Sequence, residues 1–505
     1  MLTFSPSMTA DRRALVVGDI MLDRVIEGEV KRLAPEAPVP VLRQRLDELY
    51  PGGAANVAHN LALLGVRCDL VGPVGTDAAG AEDGASVAVQ SILHPLRRCP
   101  RWLAGRGHHL VHYAGLLMTD YHTPIKTRLT SGGRVLFRYD QESERVPAEP
   151  PYVDWLARHG LQNVGAIALV DYGKGAVTDL ALTDWLESAR RANVPVLLDA
   201  KPTSVLHWRH ALLVKMNEPD FRAACAALGV HTTQLDVSAR NVAELTGLQR
   251  LVVTLGKRGL YYYEAASGFS VLHPGLELSE VDVAGAGDVV TAVLTAAVLA
   301  CYQLPLLASV ANVAAGLAVA EPGTCLTSPF EVNRYRGRQS PAFKVLTRKE
   351  EMEDWGRYAY EAGKGLVFTN GCFDLFHAGH LHFLEECRKL GDALVVSVNE
   401  DDSVRALKGD GRPVIPFMER CAILQALPCV DAVTCHADEK HLLENVKALR
   451  PSVLAKGEEW RSKAVVGADF VAQHGGRVAF VGRYNADTCS TSAIAERVRA
   501  VKVNG

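Results

Sequence analysis

Leu366-Val367-Phe368-Thr369-Asn370, apolar on both faces of an extended chain, runs into Gly371-Cys372-Phe373-Asp374-Leu375-Phe376-His377-Ala378-Gly379-His380 and then into a helical pattern over 381–390. A short run without polar alternation, closed by a Gly-containing turn, predicts a strand inside a parallel sheet with the helix packed on one face. The same grammar recurs at 14–18 (ALVVG), 166–170 (AIALV), 194–199 (VPVLLD), 251–255 (LVVTL) and 393–398 (ALVVSV). The fold class is therefore α/β. In such sheets ligands bind beyond the carboxyl ends of the strands, so the residues just after these runs are where chemistry is to be sought.

The chain has 505 residues, too many for one small domain. Hydrophobic residues at 48% and charged residues at 22% exclude wholesale disorder. A formal charge of -3 leaves no global field to hold nucleic acid or an anionic membrane. Residues 1–13 lack the continuous apolar run of a secretory signal, and the longest apolar stretch, 289–302, is too short to span a bilayer. The 11 cysteines form no C-x-x-C pair and none sits with His at zinc-finger spacing, which reads as reduced core thiols. A cytoplasmic protein with neither a nucleic-acid nor a membrane partner is expected.

Two stretches break the alternation of strand and helix. Residues 126–130 and 134–139 alternate around Ser131-Gly132-Gly133 and predict a hairpin projecting from the sheet. The charged segment 333–364 (Arg334, Arg336, Arg338, then Lys349-Glu350-Glu351) predicts a linker followed by an amphipathic helix. It divides the chain into domains at 1–332 and 365–505. Residues 78–122 cluster Arg97, Arg98, Arg101, Arg106, His108, His109 and His112. That cluster reads either as a phosphate-binding surface or, with no spacing that imposes a geometry, as an irregular surface excursion.

Asp282-Val283-Ala284-Gly285-Ala286-Gly287-Asp288 leads directly into an apolar helix. Small residues let backbone N–H groups approach an anion, and the helix N-terminus adds its positive end. A carboxylate at Asp288 could take the proton of an alcohol attacking a phosphoryl group held there. Asp19 and Asp23 follow the first strand, Gly52-Gly53-Ala54-Ala55-Asn56 opens a helix, and Asp171-Tyr172-Gly173-Lys174-Gly175 follows another strand. Each alone also reads as a cap or a turn.

In this order, over roughly 13–328, these motifs resemble the ribokinase-like sugar kinases, and the stretches at 18–23, 34–41 and 51–58 are similar to the heptose 7-phosphate kinase branch. The resemblance implies a ribokinase-like domain with a β lid formed in part by the 126–139 hairpin. It implies Asp288 as base, Gly285, Ala286 and Gly287 as anion hole, and Asp19, Asp23, Gly52, Gly53, Asn56, Asp171 and Lys174 around the sugar. Asn217, Glu218, Pro219, Asp220, Thr254 and Gly256 would serve nucleotide and Mg²⁺, with no direct protein ligand to the metal assigned. The family's Asn-x-x-Glu appears here as Asn217-Glu218-Pro219-Asp220, and its signature Thr is Ala284.

His377 and His380, three apart at a helix start, would project together beside free N–H groups. Two imidazoles there can donate to the phosphates of a nucleoside triphosphate when its α-phosphorus is attacked. The competing metal pair fits less well, since zinc sites on helices prefer i, i+4 with a third ligand. The whole string resembles the cytidylyltransferase-like nucleotidyltransferases, over about 365–501. That resemblance implies a Rossmann-like domain. Its nucleotide site would draw on Asn370, Gly371, Phe373, Asp374, Gly379, Lys408, Arg412, Arg420, Lys456, Gly457, Ser490, Thr491 and Ser492.

A sugar kinase followed by this nucleotidyltransferase is similar to the bifunctional heptose enzymes of lipopolysaccharide core synthesis. The resemblance implies phosphorylation of D-glycero-D-manno-heptose 7-phosphate at C1 by ATP, and AMP transfer from ATP to heptose 1-phosphate to give ADP-heptose. It also implies Mg²⁺ at both steps and a homodimer through the kinase lid. The alternatives are a chain whose kinase half is a degraded scaffold, and a sugar-phosphate sensor that binds without turnover. Asp288, His377 and His380 argue against a pure binder, which gains nothing from a positioned base.

Overall fold

The computed structural model describes residues 13–75, 111–113, 116–118, 121–142, 152–231, 234–278, 284–300, 304–320, 331–332, 335, 346, 348–361 and 363–482. The chain divides into two compact units, one taking in most of Met8–Thr327 and the other Ser328–Gly505.

The first unit is built on a nine-stranded sheet. Its order is Phe269–His273, Leu260–Glu264, Arg250–Thr254, Leu213–Asn217, Val196–Asp199, Val164–Val170, Arg13–Gly18, Cys68–Val71 and Val111–Tyr113. From Arg250–Thr254 to Val111–Tyr113 all neighbours are parallel, and the two remaining strands add antiparallel at one edge. The apolar runs at 14–18, 166–170, 194–199 and 251–255 lie in the interior of this sheet because both of their faces are covered. Leu15, Val17, Ile167, Leu169, Leu198, Val214, Leu251 and Val253 share one core with Trp185 and Trp208. The apolar helix starts earlier than its hydrophobic run, at Ala286, ends at Leu299 and is buried along almost its whole length. All the parallel strands end on one side, so Asp19, Asp171, Asp199, Asn217 and Thr254 share that side.

A second sheet of four strands carries the predicted hairpin, Ile125–Ser131 with Arg134–Gln141. It also contains two 14-residue strands, Ile20–Leu33 and Pro40–Gly53, that the sequence pattern does not announce. Their alternation is masked by charges on both faces, since little covers this sheet; every residue of Arg134–Gln141 is exposed.

The second unit holds a five-stranded parallel sheet ordered Ala432–His436, Ala393–Asn399, Leu366–Gly371, Val453–Gly457 and Arg477–Val481. The first of these in chain order, Leu366–Gly371, is central, so the direction of winding reverses beside it, and in such sheets ligands bind at that reversal, beyond the strands' carboxyl ends. The amphipathic helix expected after the linker is Lys349–Glu361, and Met352, Trp355 and Ala359, on one face, pack with Leu366, Phe368 and Val446. Among the described residues no helix is long and apolar enough to cross a membrane.

Candidate active sites

In the first unit, Gly285 caps the helix Ala286–Leu299 with φ 76°, a left-handed conformation that favours glycine. At Gly287, the second residue of the helix, a lysine occupies the space of the missing side chain: a Cβ there would lie 2.8 Å from Lys215 Nζ. Asp288 follows and is buried. Asn56 Nδ2 donates to one of its oxygens at 2.8 Å and the Tyr172 hydroxyl to the other at 2.7 Å. Burial pushes the Asp288 carboxyl up to about 6, against the pull of Lys215, Tyr172 and Asn56. A carboxylate poised there is ionised at neutral pH yet basic enough to share a proton.

Beside this carboxylate lies a cavity of about 580 Å³. Gly285, Ala286, Gly287, Asn217, Glu218, Pro219, Asp220, Thr254, Gly256 and Asp171 all line it. Asn217 caps the helix Glu218–Ala227, its Oδ1 accepting from Asp220 N at 2.7 Å. Asp220 pairs with Lys201 at 2.9 Å, and Glu218 is held by Arg222 and Arg258.

The predicted sugar residues divide. Asp23 is buried, with Arg128 at 2.6 Å and Gly52 packed against it. Asp171 accepts from Gly173 N at 2.8 Å, and burial lifts its carboxyl to about 7. Lys174 pairs with Glu142 at the end of the lid. Asp19 accepts from the backbone N–H groups of Tyr172 (2.7 Å), Lys174 (3.0 Å) and Ala176 (2.8 Å), so it holds the loop after the strand Val164–Val170. Gly53, at φ 57°, hands the lid strand over to the helix Ala54–Leu63. That helix presents Asn56 to Asp288, so Asn56 helps orient that carboxylate.

Sequence reasoning missed Tyr172, Lys201 and the pair Asp199–Lys215. Lys215 and Asp199 face each other in register on adjacent strands, 2.6 Å apart, with Thr291 donating to the same carboxylate oxygen. One acid and one base in otherwise apolar neighbouring strands was the available signal. Asp282, Val283, most of the basic cluster at 78–122 and the Ser490-Thr491-Ser492 segment lie outside the described residues; His112 is described and exposed.

In the second unit His377 is the N-cap of the helix Ala378–Lys389, its Nδ1 accepting from Gly379 N at 3.1 Å. The helix begins three residues before its apolar pattern. The His377 and His380 rings stack with centroids 3.9 Å apart, and Phe373 and Phe376 close around His380. Burial pushes His380 down to about 4, with His377 and Lys408 adding to the shift. Phe373 holds φ 47°, a left-handed conformation whose strain is about 1–3 kcal/mol. Lys456, ending the strand Val453–Gly457, donates to Asn370 Oδ1 at 2.5 Å and lies 4.5 Å from the centre of the Trp460 ring. Burial lowers Lys456 to about 8. A Cβ at Gly457 would collide with the Glu459 carboxylate, and Gly371 packs against the Phe373 ring.

Two predicted nucleotide contacts are bound to the protein's own loops. Arg420 is fully buried and donates to Ile415 O (3.0 Å), Cys372 O (2.5 Å) and Asp401 (2.7 Å). Asp374, also fully buried, accepts from Arg412 (2.6 Å) and from the N–H groups of Val414 and Ile415. Both fasten the loop after Lys408 to the first strand's turn, so they position the site. Arg412 shares that duty through Asp374. Among the described residues no group of three or more His, Cys, Asp and Glu is gathered to hold a metal ion.

The chain matches the pfkB family of carbohydrate kinases over residues 11–83 and 135–331, and the cytidylyltransferase-like family over 368–497. A crystal structure of phosphofructokinase-2 from Escherichia coli aligns with TM-score 0.50 and 20% identity, over 64% of this chain and 97% of that one, a likeness of fold alone. The bifunctional protein HldE of Hahella chejuensis is 36% identical over 501 residues, 98% of each chain. That of Methylococcus capsulatus is 37% identical over 490 residues, 96% of this chain and 98% of its own. An Escherichia coli HldE is 35% identical over 491 residues, 97% of each. With a carbohydrate kinase and a cytidylyltransferase-like nucleotidyltransferase in the same order along nearly the whole length, the chain belongs to the bifunctional HldE family.

Proposed function

We propose that the first unit moves the γ-phosphate of ATP to the C1 hydroxyl of D-glycero-D-manno-heptose 7-phosphate. The second unit then transfers AMP from ATP to heptose 1-phosphate, giving ADP-heptose for lipopolysaccharide core synthesis, after a separate phosphatase has removed the 7-phosphate. Both reactions belong in the cytoplasm, where ATP is supplied. We assign the kinase to residues 1–332, the connection to 333–364 and the nucleotidyltransferase to 365–505.

In the kinase step the C1 oxygen bonds to the γ-phosphorus, the bond to ADP breaks and the hydroxyl proton passes to Asp288. The amides opening the helix at Gly285, Ala286 and Gly287 face the developing charge. In the second step a sugar-phosphate oxygen attacks the α-phosphorus and pyrophosphate leaves. His377, His380 and Lys456 donate to the phosphates, so no protein nucleophile is needed. Asn217 and Asp220 line the kinase cavity, but Asn217 Oδ1 accepts from Asp220 N and Asp220 pairs with Lys201, so a cation beside them would keep most of its water. They would hold Mg²⁺ through that water, and the metal supplies neutralisation of the polyphosphate charge. The lid strand leaves Val135 and Phe137 about 60% exposed, at 59% and 61%, and a second copy of the chain would cover them.

The observation that carries this reading is the doubly held, buried Asp288 next to the cavity-lining Gly285, Ala286 and Gly287, in a chain that also bears the stacked His377 and His380. The test is the purified chain with heptose 7-phosphate and ATP, products resolved by mass. A bisphosphate is expected. Its absence, with ADP-heptose still formed from heptose 1-phosphate, would favour the scaffold alternative.

A further inference from the structure

Tyr172 touches three parts of the kinase site with three different groups. Its backbone N–H donates to Asp19 Oδ2 at 2.7 Å, its hydroxyl donates to Asp288 Oδ1 at 2.7 Å, and its ring lies under Lys126 Nζ of the lid, 5.1 Å from the centroid. It also lines the nucleotide cavity. A phenol is a rigid donor with two side-chain torsions. Here its base is anchored by Asp19, which in turn binds the loop at Lys174 and Ala176.

We propose that Tyr172 is the positioning residue of the kinase base: its hydroxyl sets the orientation of the Asp288 carboxylate, stabilises its ionised form, and leaves Oδ2, shared with Asn56, to receive the sugar proton. This rests on the reading of Asp288 as the base. The opposite possibility, a tyrosine that only fills space, does not account for a hydroxyl aimed at a carboxylate inside a buried site. A buried phenol without a partner would be costly, but a backbone carbonyl would satisfy it as well.

The charged surroundings fix the sign of the effect. Asp288 faces Lys215 and Asp199 from the neighbouring strands and Asn56 from the helix Ala54–Leu63. Tyr172 itself faces Asp288, Asp199 and Asp23, as well as Lys126 from the lid. Burial together with these carboxylates raises the phenol well above its ordinary range, so it stays a donor at every working pH. Hydrogen bonding to the charged form favours that form. Removing the hydroxyl therefore makes Asp288 easier to protonate, and phosphorylation should fail at higher pH than in the parent protein.

The experiment is the pH profile of kcat for phosphorylation of heptose 7-phosphate by the full-length chain, comparing Tyr172→Phe, 3-fluorotyrosine introduced at position 172, and Asp288→Asn. With Phe the acid limb should rise by about one unit, lowering kcat about 2-fold at pH 7 and ~10-fold well below pH 6, with the sugar KM nearly unchanged. Fluorotyrosine keeps the shape and is a stronger donor, so its limb should move the other way even if the Phe variant folds poorly. Asp171 also titrates near this range. The shifts must therefore persist when both substitutions are repeated in an Asp171→Asn background. An unmoved limb in both variants, or a change confined to KM, overturns the proposal while a dead Asp288→Asn keeps the base reading. An active Asp288→Asn overturns both.

Discussion

Asp288 is buried between an amide, a phenol and a nearby ammonium, and the balance leaves its carboxyl near 6. Its folded value lies above the ordinary one, so the group gains protons as pH falls toward 6. The kinase rate should then halve close to pH 6 and fall tenfold per unit below it, checked by a pH–rate profile at saturating ATP. His380 and His436 have the opposite history: burial lowers both from 6.5 to about 4. An unfolded chain takes up protons below 6.5 that these folded imidazoles refuse. The second unit should therefore lose stability between pH 6.5 and about 4, read as a falling urea midpoint of its unfolding transition. At this scale the sequence exposed the residues with a motif around them, Asp288, His377 and His380. It hid those whose meaning depends on a neighbouring strand. Lys215 looks like a stray charge until Asp199 stands opposite it, and the burial of Arg420 is visible only in the fold.

Helix beginnings carry both sites, and each uses a different cap. Asn217 caps with its own side chain, Gly285 with a left-handed backbone, and His377 with its imidazole. Asn217→Ala should cost about 1 kcal/mol of stability in the first unit through the lost cap. Because that helix opens at the cavity, it should also raise the kinase KM for ATP while leaving adenylyl transfer unchanged; thermal melts and the two assays check this. Elements were legible wherever burial was two-sided, because a short apolar run without alternation is stable in water only when both of its faces are covered. The strands Ile20–Leu33 and Pro40–Gly53 were not, since residues such as Glu27, Glu29, Arg43 and Arg45 occupy a sheet that faces water on much of its surface. Their pairing depends on partners distant in sequence, which local pattern cannot supply.

In the whole molecule the two chemistries lie in separate compact units with separate reactive groups. Asp288→Asn should cut bisphosphate formation by ~100-fold or more and spare adenylyl transfer. His377→Ala should cost adenylyl transfer ~100-fold and spare the kinase. An equimolar mixture of the two variants, supplied with the phosphatase, should restore ADP-heptose synthesis from heptose 7-phosphate. The order of the units was readable because each contains a local motif; the division at Thr327 and Ser328 falls just before a stretch whose charged composition alone suggested a boundary. The cap made by His377 has one more consequence. Its Nδ1 is occupied as an acceptor, so the neutral ring carries its proton on Nε2, and burial together with Lys408 favours that neutral form. A cell that acidifies toward pH 6 would slow the first reaction by protonating Asp288, placing the throttle at the entrance of the route.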